Sequence, residues 1–150
     1  MIEGVVVKKL QKLEDTRGWL CEIFRSDEIA YQPMMSYVSL TKLGVVRGPH
    51  EHQFQTDCFI FLGPGNFILH LWDRREGSST KGEYQKIEAG EESPCLIIVP
   101  PGIVHGYQCV SQEAGWCINL PDKLYKGEDK QKEVDEIRWE SDSNSPYKIN

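Results

Sequence analysis

Short hydrophobic segments alternate with turn residues along most of the chain. Their residues are mainly β-branched and aromatic, which favours strands, and turn sequences such as Gly63-Pro64-Gly65 separate them. The nine segments are Val5–Val7, Trp19–Phe24, Tyr37–Leu43, Cys58–Leu62, Phe67–Trp72, Tyr84–Ile87, Cys95–Val99, Tyr107–Val110 and Trp116–Leu120. A series of short strands separated by turns predicts an antiparallel sandwich or barrel.

A helical period is almost absent from the chain. A parallel α/β sheet would need amphipathic crossover helices, so that class is excluded. The single predicted helix, Asp129–Ile137, lies in a polar tail that begins at about Pro121 and is expected to lie on the outside of the domain. The 150 residues suffice for one domain. We therefore predict one all-β domain, residues 1–150, with a short polar C-terminal tail.

Charge and composition narrow the functional classes. The chain has 17 basic and 23 acidic residues and a net charge of -6, which argues against a nucleic-acid or anionic-membrane surface but allows a local phosphate pocket. No apolar segment approaches the ~20 residues needed to cross a bilayer, and the N-terminus lacks the pattern of a secretory signal. The five cysteines form no CxxC pair, so we expect reduced core residues in a cytoplasmic protein.

Three of the four histidines occur in two motifs. His50 and His52 share one face of a strand, because side chains two residues apart in a strand point the same way. Asp57 is expected to begin the partner strand of a hairpin and to face them, and a turn at Pro100-Pro101-Gly102 precedes His105. Three imidazoles and a carboxylate in the mouth of one barrel suit a divalent metal or acid–base chemistry.

These motifs resemble those of the cupin superfamily of jelly rolls and, within it, the dTDP-4-dehydrorhamnose 3,5-epimerase family. The similarity extends over most of the chain, and the joint order of the segments makes it specific. The matching segments are 15–22 (DTRGWLCE), 44–50 (GVVRGPH), 71–75 (LWDRR) and 98–106 (IVPPGIVHG), with Gln55 where the family has a glutamine.

The resemblance implies a single jelly-roll domain, a homodimer without a cofactor, and epimerisation of a nucleotide-linked 4-keto sugar in polysaccharide precursor synthesis. His50 would be the base that removes the proton next to the 4-keto group. The family exchanges its first strand between subunits, so Arg17 and Glu22 would serve the neighbouring site. The substrate-binding residues implied by the resemblance are Arg17, Glu22, Arg47, Gln55 and His105.

Several positions depart from the family pattern. Ile118 or Cys117 stands at the position where the family has the tyrosine that acts as its general acid. Asp57 stands where the family has a lysine. The family's aspartate that orients the catalytic histidine has no counterpart up to Asn150. An epimerase needs two groups on opposite faces of the sugar. The candidates for the second group are Tyr37, Tyr107 and His105.

Three alternatives remain open for the histidine cluster. Arg47 to His52, with the additional His52, resembles the R-G-x-H-x-H arrangement of nucleotide-sugar 3,4-ketoisomerases, in which two neighbouring histidines move a proton along one face. The candidate catalytic residues are His50 and His52, with Tyr107 as a candidate second group. The same cluster matches a metallocupin ligand set for one divalent transition metal, and a non-catalytic sugar-binding cupin is a further possibility. The metal ligands would be His50, His52, Asp57 and His105.

Two arginines and the fourth histidine carry weaker expectations. Arg74 and Arg75 lie next to Asp73 at the end of a strand, where arginines either bind a phosphate or simply face solvent, and the second case is more common. His70 stands alone within a strand and is expected to be a surface or satisfied core residue.

Overall fold

A computed structural model describes residues 1–150, which form twelve β-strands and two 3-10 turns. All nine predicted segments overlap strands. The strands are β1 (Val6–Lys9), β2 (Leu13–Asp15), β3 (Gly18–Leu20), β4 (Tyr37–Thr41), β5 (Val46–Glu51), β6 (Asp57–Phe61), β7 (Asn66–Asp73), β8 (Tyr84–Gly90), β9 (Cys95–Val99), β10 (Ile103–Cys109), β11 (Gly115–Asn119) and β12 (Ile137–Arg138). The 3-10 turns are Glu128–Lys130 and Trp139–Ser141.

Ten of the strands form two five-stranded sheets that face each other. The first sheet has the order β1-β9-β6-β11-β4, and the second has the order β12-β5-β10-β7-β8. The strand pairs are antiparallel throughout. The remaining strands, β2 and β3, pair only with each other in a hairpin. The predicted all-β jelly roll is therefore confirmed.

The main hydrophobic core lies between the two sheets. It contains Phe59 and Phe61 of β6, Phe67 and Leu69 of β7, and Ile97 of β9, each at most 3% exposed. Every residue of β6 and β9 is buried, because residues 21–31 cover the outer face of the first sheet with a second apolar cluster. This double burial explains why these two strands are continuously hydrophobic instead of alternating.

The helix predicted over Asp129–Ile137 is wrong. The chain makes only the short turn Glu128–Lys130, because Asp129 and Lys130 have left-handed φ values of 51° and 58° that end a helix. Ile137–Arg138 instead pairs with β5.

The Trp19–Phe24 segment is a strand only as far as Leu20. The five cysteines form no disulfide, and four of them are buried. None of the helical segments is long and apolar enough to span a bilayer.

Candidate functional site

A pocket of about 1560 Å³ opens between the ends of the two sheets and the C-terminal tail. Its floor includes Tyr37 of β4, Arg47 and His50 of β5, and Tyr107 of β10, and its outer wall is made by tail residues between 121 and 140. The strands of the jelly roll supply the floor of this pocket, and the irregular tail closes its side.

Four side chains expected to meet do so at the base of the pocket. Donor atoms of His50, His52, Asp57 and His105 all lie within 4.8 Å of one another. His50 and His105 are direct partners across the β5–β10 pairing, with ring centroids 4.6 Å apart. The expected hairpin is wrong, because β6 belongs to the first sheet. Asp57 therefore reaches the histidines from across the sandwich.

Asp57 connects the cluster through hydrogen bonds at both carboxylate oxygens. Its Oδ2 lies 3.1 Å from Nε2 of His105 and 3.2 Å from Nε2 of His52. Its Oδ1 accepts hydrogen bonds of 2.9 Å from the side-chain amides of Gln55 and Asn119. Burial raises the pKa of the Asp57 carboxyl, but the bonds from His105 and His52 outweigh it and hold the pKa well below 3.8. Asp57 is thus a fixed negative charge.

His52 carries a positive charge at neutral pH. Its Nδ1 donates to the backbone carbonyl of Asp135, and its Nε2 faces the carboxylate of Asp57. Burial lowers the pKa of His52, but the hydrogen bond and charge of Asp57 outweigh it and raise the pKa to about 9. His52 and Asp57 therefore form a buried ion pair at the edge of the pocket.

His50 remains neutral in the same cluster. Burial lowers its pKa well below 6.5, and the neighbouring His105 and His52 add to this effect. Its side chain is 16% exposed to the pocket, and its Nδ1 lies 3.7 Å from a carboxylate oxygen of Glu136. A neutral, partly exposed imidazole next to a carboxylate can act as a proton acceptor.

The tail is held against the site by Asp135. Its carboxylate oxygens accept hydrogen bonds from the backbone N–H groups of Gln53, Phe54 and Gln55, with N–O distances of 3.0, 2.8 and 2.9 Å. This arrangement also places Glu136 beside His50. Sequence reasoning missed both acidic residues, because their contacts join segments about 80 positions apart in an irregular tail and leave no local pattern.

The pocket contains several cations without a carboxylate partner. Nε of Arg47 donates to Thr41 Oγ1, and its Nη2 donates to the Leu40 carbonyl, both at 2.9 Å. Arg47 forms no salt bridge, so its charge faces the pocket uncompensated by an acid. The tail adds four lysines that form no salt bridge, Lys123, Lys126, Lys130 and Lys132.

A sequence profile of the dTDP-4-dehydrorhamnose 3,5-epimerase family matches residues 1–144. The chain belongs to this family. It is 39% identical over 135 residues to a probable low-salt glycan biosynthesis epimerase of Haloferax volcanii, covering 88% of this chain and 86% of the relative. It is 38% identical over 113 residues to a spore coat polysaccharide biosynthesis protein of Bacillus subtilis, covering 75% of this chain and 74% of the relative.

The fold also matches a solved structure. A dTDP sugar isomerase from Desulfovibrio desulfuricans aligns with a TM-score of 0.86 at 21% identity, covering 98% of this chain and 91% of that chain. This match supports the fold, and the family profile over residues 1–144 confirms the resemblance drawn from the motifs, to a family of sugar-nucleotide epimerases.

The two positions expected to replace the tyrosine of the epimerase family do not line the pocket. Cys117 is buried in the core, and Ile118 packs on the outer face of the first sheet. The inward-facing residue at the end of β11 is Asn119, which is 1% exposed and bonds Asp57. Tyrosine hydroxyls reach this region from other strands, from Tyr37 on β4 and Tyr107 on β10.

Three of the substrate-binding candidates lie outside the pocket surface. The side chain of Arg17 is 88% exposed on the β2–β3 hairpin and pairs with Asp15. Glu22 is also exposed and pairs with Arg25. His105 is 2% exposed behind the pocket wall, where its Nδ1 donates to the Ile103 carbonyl.

Two further candidates, Arg47 and Gln55, do line the pocket. His70, Arg74 and Arg75 lie elsewhere. They bond Tyr84, Glu51 and Asp73, respectively.

The histidine cluster has the donor set for a divalent transition metal. His52 and His105 each use Nδ1 to donate to a backbone carbonyl, which leaves Nε2 directed at Asp57. Metal-binding histidines commonly have this second hydrogen bond. Nitrogen and oxygen donors at this spacing would suit zinc, iron, manganese or nickel, acting as a Lewis acid. The residues therefore fit such a metal, with His50 as the third imidazole.

Proposed function

We propose that this protein is a cytoplasmic nucleotide-sugar epimerase that removes the proton next to the 4-keto group of its substrate, in glycan or polysaccharide precursor synthesis. The neutral His50, in a pocket that also contains Arg47 without an acidic partner, carries this proposal. The family supports nucleotide-linked sugars as the substrate class. A relative named as a probable glycan biosynthesis epimerase supports a role in glycan precursor synthesis.

The reaction begins with proton transfer to His50. The C–H bond of the sugar carbon next to the keto group breaks, and its proton goes to the imidazole of His50. The electron pair of that bond moves towards the keto oxygen, which gives an enolate. Arg47 is the free cation on the same strand, and His52 is a second positive charge two residues away. Cations fixed near the developing oxyanion stabilise it without reorganisation.

The nucleotide diphosphate is proposed to lie along the tail. Lys123, Lys126, Lys130 and Lys132 line that wall and have no acidic partner in a salt bridge. Phosphate oxygens are the ligands that such ammonium groups bind.

We further propose that the active protein is a homodimer. Arg17 on the β2–β3 hairpin does not line the pocket of its own chain and pairs with Asp15 in solvent. The hairpin also leaves Leu13, Trp19 and Leu20 more than half exposed. An isolated two-stranded hairpin is only marginally stable in water. We therefore propose that the β2–β3 hairpin packs against a second copy of the chain.

Solvent exchange tests the proposed chemistry directly. Incubating the protein with a dTDP-linked 4-keto-6-deoxyhexose in deuterated water is expected to introduce deuterium into the sugar ring, measured by mass spectrometry. His50→Ala is expected to slow this exchange by about 10²–10⁴-fold, the usual contribution of a general base. His70→Ala is the matched control, because His70 lies outside the pocket and its variant should exchange normally.

The same assay separates the alternatives for the site. Tight binding of the sugar without any exchange by the unmodified protein would indicate a non-catalytic sugar-binding cupin. Exchange that disappears after EDTA treatment and returns only with added zinc or manganese would indicate a metal-dependent site on His50, His52, Asp57 and His105.

A further inference from the structure

An inverting reaction needs a second proton-transfer group on the wall opposite His50. This inference rests on the proposed function and concerns where that group lies. His50 belongs to the second sheet, so the opposite wall is the first sheet. The first-sheet strands contribute only Tyr37, Ser39 and Phe59 to the pocket. Of these, two have a hydroxyl proton to donate.

Ser39 and Tyr107 are engaged with each other. The Ser39 Oγ and the Tyr107 hydroxyl lie 3.0 Å apart, and Tyr107 is only 6% exposed. Tyr107 also lies on β10 of the second sheet, the same sheet as His50. Ser39 is therefore on the opposite wall but not free, and Tyr107 is neither free nor on that wall.

Tyr37 meets both conditions. It pairs with Asn119 across β4 and β11, and its hydroxyl oxygen accepts a hydrogen bond of 2.9 Å from the Asn119 amide. The hydroxyl donates to no protein group, so its proton remains available to a ligand. The residue is 47% exposed and lines the pocket.

We propose that Tyr37 is the general acid of this protein, supplied by β4 because the end of β11 carries Asn119 instead of a tyrosine. The Tyr37 O–H bond breaks, and its proton forms a new C–H bond on the face of the enolate opposite His50. The enolate electron pair enters that bond, and the keto group is restored. The phenolate and the imidazolium then exchange their proton through water, which returns both groups to their starting state.

The surroundings of Tyr37 support both stages of this step. Burial raises its pKa to about 12, so the hydroxyl is protonated at neutral pH before the transfer. After the transfer, the amide of Asn119 donates to the phenolate oxygen. Asn119 is itself fixed by its second hydrogen bond, of 2.9 Å, to Asp57.

The test compares three tyrosine-to-phenylalanine variants in the deuterium-exchange assay, with product configuration followed by NMR. In Tyr37→Phe, His50 still removes the proton and returns deuterium on the same face, so exchange continues while the inverted product falls by about 100-fold or more. Tyr84→Phe is the control, since Tyr84 is equally exposed at 47% but lies outside the pocket. Tyr107→Phe tests the other pocket tyrosine that lies on a strand; the third pocket tyrosine, Tyr125, belongs to the tail.

The outcomes separate this proposal from the proposed function. A Tyr37→Phe variant that inverts the sugar as fast as the unmodified protein would overturn the role of Tyr37. So would loss of inversion in Tyr107→Phe alone. Loss of both exchange and inversion in Tyr37→Phe, with unchanged folding by circular dichroism, would also contradict it. If the unmodified protein exchanges no proton with any such sugar, the proposed function itself fails.

Discussion

His50 lies on β5 and His52 directly follows the end of that strand, yet their pKa values shift in opposite directions. His52 contacts the Asp57 carboxylate, whose hydrogen bond and charge raise the pKa of His52 in spite of burial. For His50, burial lowers the pKa, and the neighbouring His105 and His52 add to this effect. The sequence alone predicts that the two rings share a face. It does not predict which is charged, because Asp57 approaches from the opposite sheet.

The pH dependence of stability is expected to report the charge on His52. Its folded pKa of about 9 lies above the ordinary value of 6.5, so its stabilising contribution is complete below pH 6.5 and is lost as the pH rises towards 9. The lowered pKa of His50 acts in the opposite sense and only below pH 6.5. Burial raises the pKa of the Cys58 and Cys95 thiols from 9.0 to about 12 and about 11, so they act in the same sense as His52, but only near pH 9. The slope between pH 6.5 and about 8 therefore reports His52. Thermal unfolding should therefore show a melting temperature that falls between pH 6.5 and 9.

Two histidine variants identify the source of this slope. His52→Asn should lower the melting temperature at pH 6.5 and flatten the decline towards pH 9. His70→Asn should keep the decline, because burial lowers the pKa of His70 and removes it from this window. An equally steep decline in His52→Asn would contradict the assignment, and NMR titration of the His52 ring provides an independent measurement.

At the scale of elements, the positions of the strands can be predicted from the sequence, but the pairing between strands can be predicted only in part. The β-branched and aromatic composition of β6, β7 and β9 identifies them as strands without further information. Composition does not reveal that β6 joins the first sheet while β5 joins the second, because the connection between them is short enough for a hairpin. The predicted helix failed because backbone conformation at Asp129 and Lys130 overrides the charged pattern.

The contacts of the tail were the least predictable feature, and Asp135 is the residue that fixes them. Asp135→Ala removes three charge-assisted hydrogen bonds to the backbone of residues 53–55. We expect a loss of about 1.5–3 kcal/mol in the free energy of unfolding, measured with denaturant. Amide hydrogen exchange at Gln53, Phe54 and Gln55 should accelerate.

Glu133→Ala is the matched control for this variant. Glu133 is an exposed acidic residue two positions earlier in the same tail and makes no hydrogen bond. It should change neither the unfolding free energy nor the exchange at residues 53–55. If Asp135→Ala also leaves both unchanged, the tail is held by other contacts and the placement of Glu136 beside His50 needs another explanation.

At the scale of the whole molecule, one residue expected to bind the substrate, Arg17, lies outside the pocket. Arg17 extends from a hairpin that pairs with no other strand, and its guanidinium bonds only Asp15. Exposed apolar side chains also cover the outer face of β4 and β11, namely Val38, Leu40 and Trp116, each at least half exposed. An apolar face beside an edge strand is typical of an interface between copies of a chain.

Mixing two inactive variants tests whether the hairpin serves a neighbouring pocket. Arg17→Ala and His50→Ala should each be inactive or nearly so in the exchange assay. If Arg17 acts across a symmetric dimer, a random mixture refolded together should recover about a quarter of the unmodified activity, because half the dimers are mixed and each has one intact site. A mixture of His50→Ala and Tyr37→Phe should recover no inversion, since both groups belong to one pocket of one chain. No recovery in the first mixture, or a monomer in sedimentation experiments, would place Arg17 outside any active site.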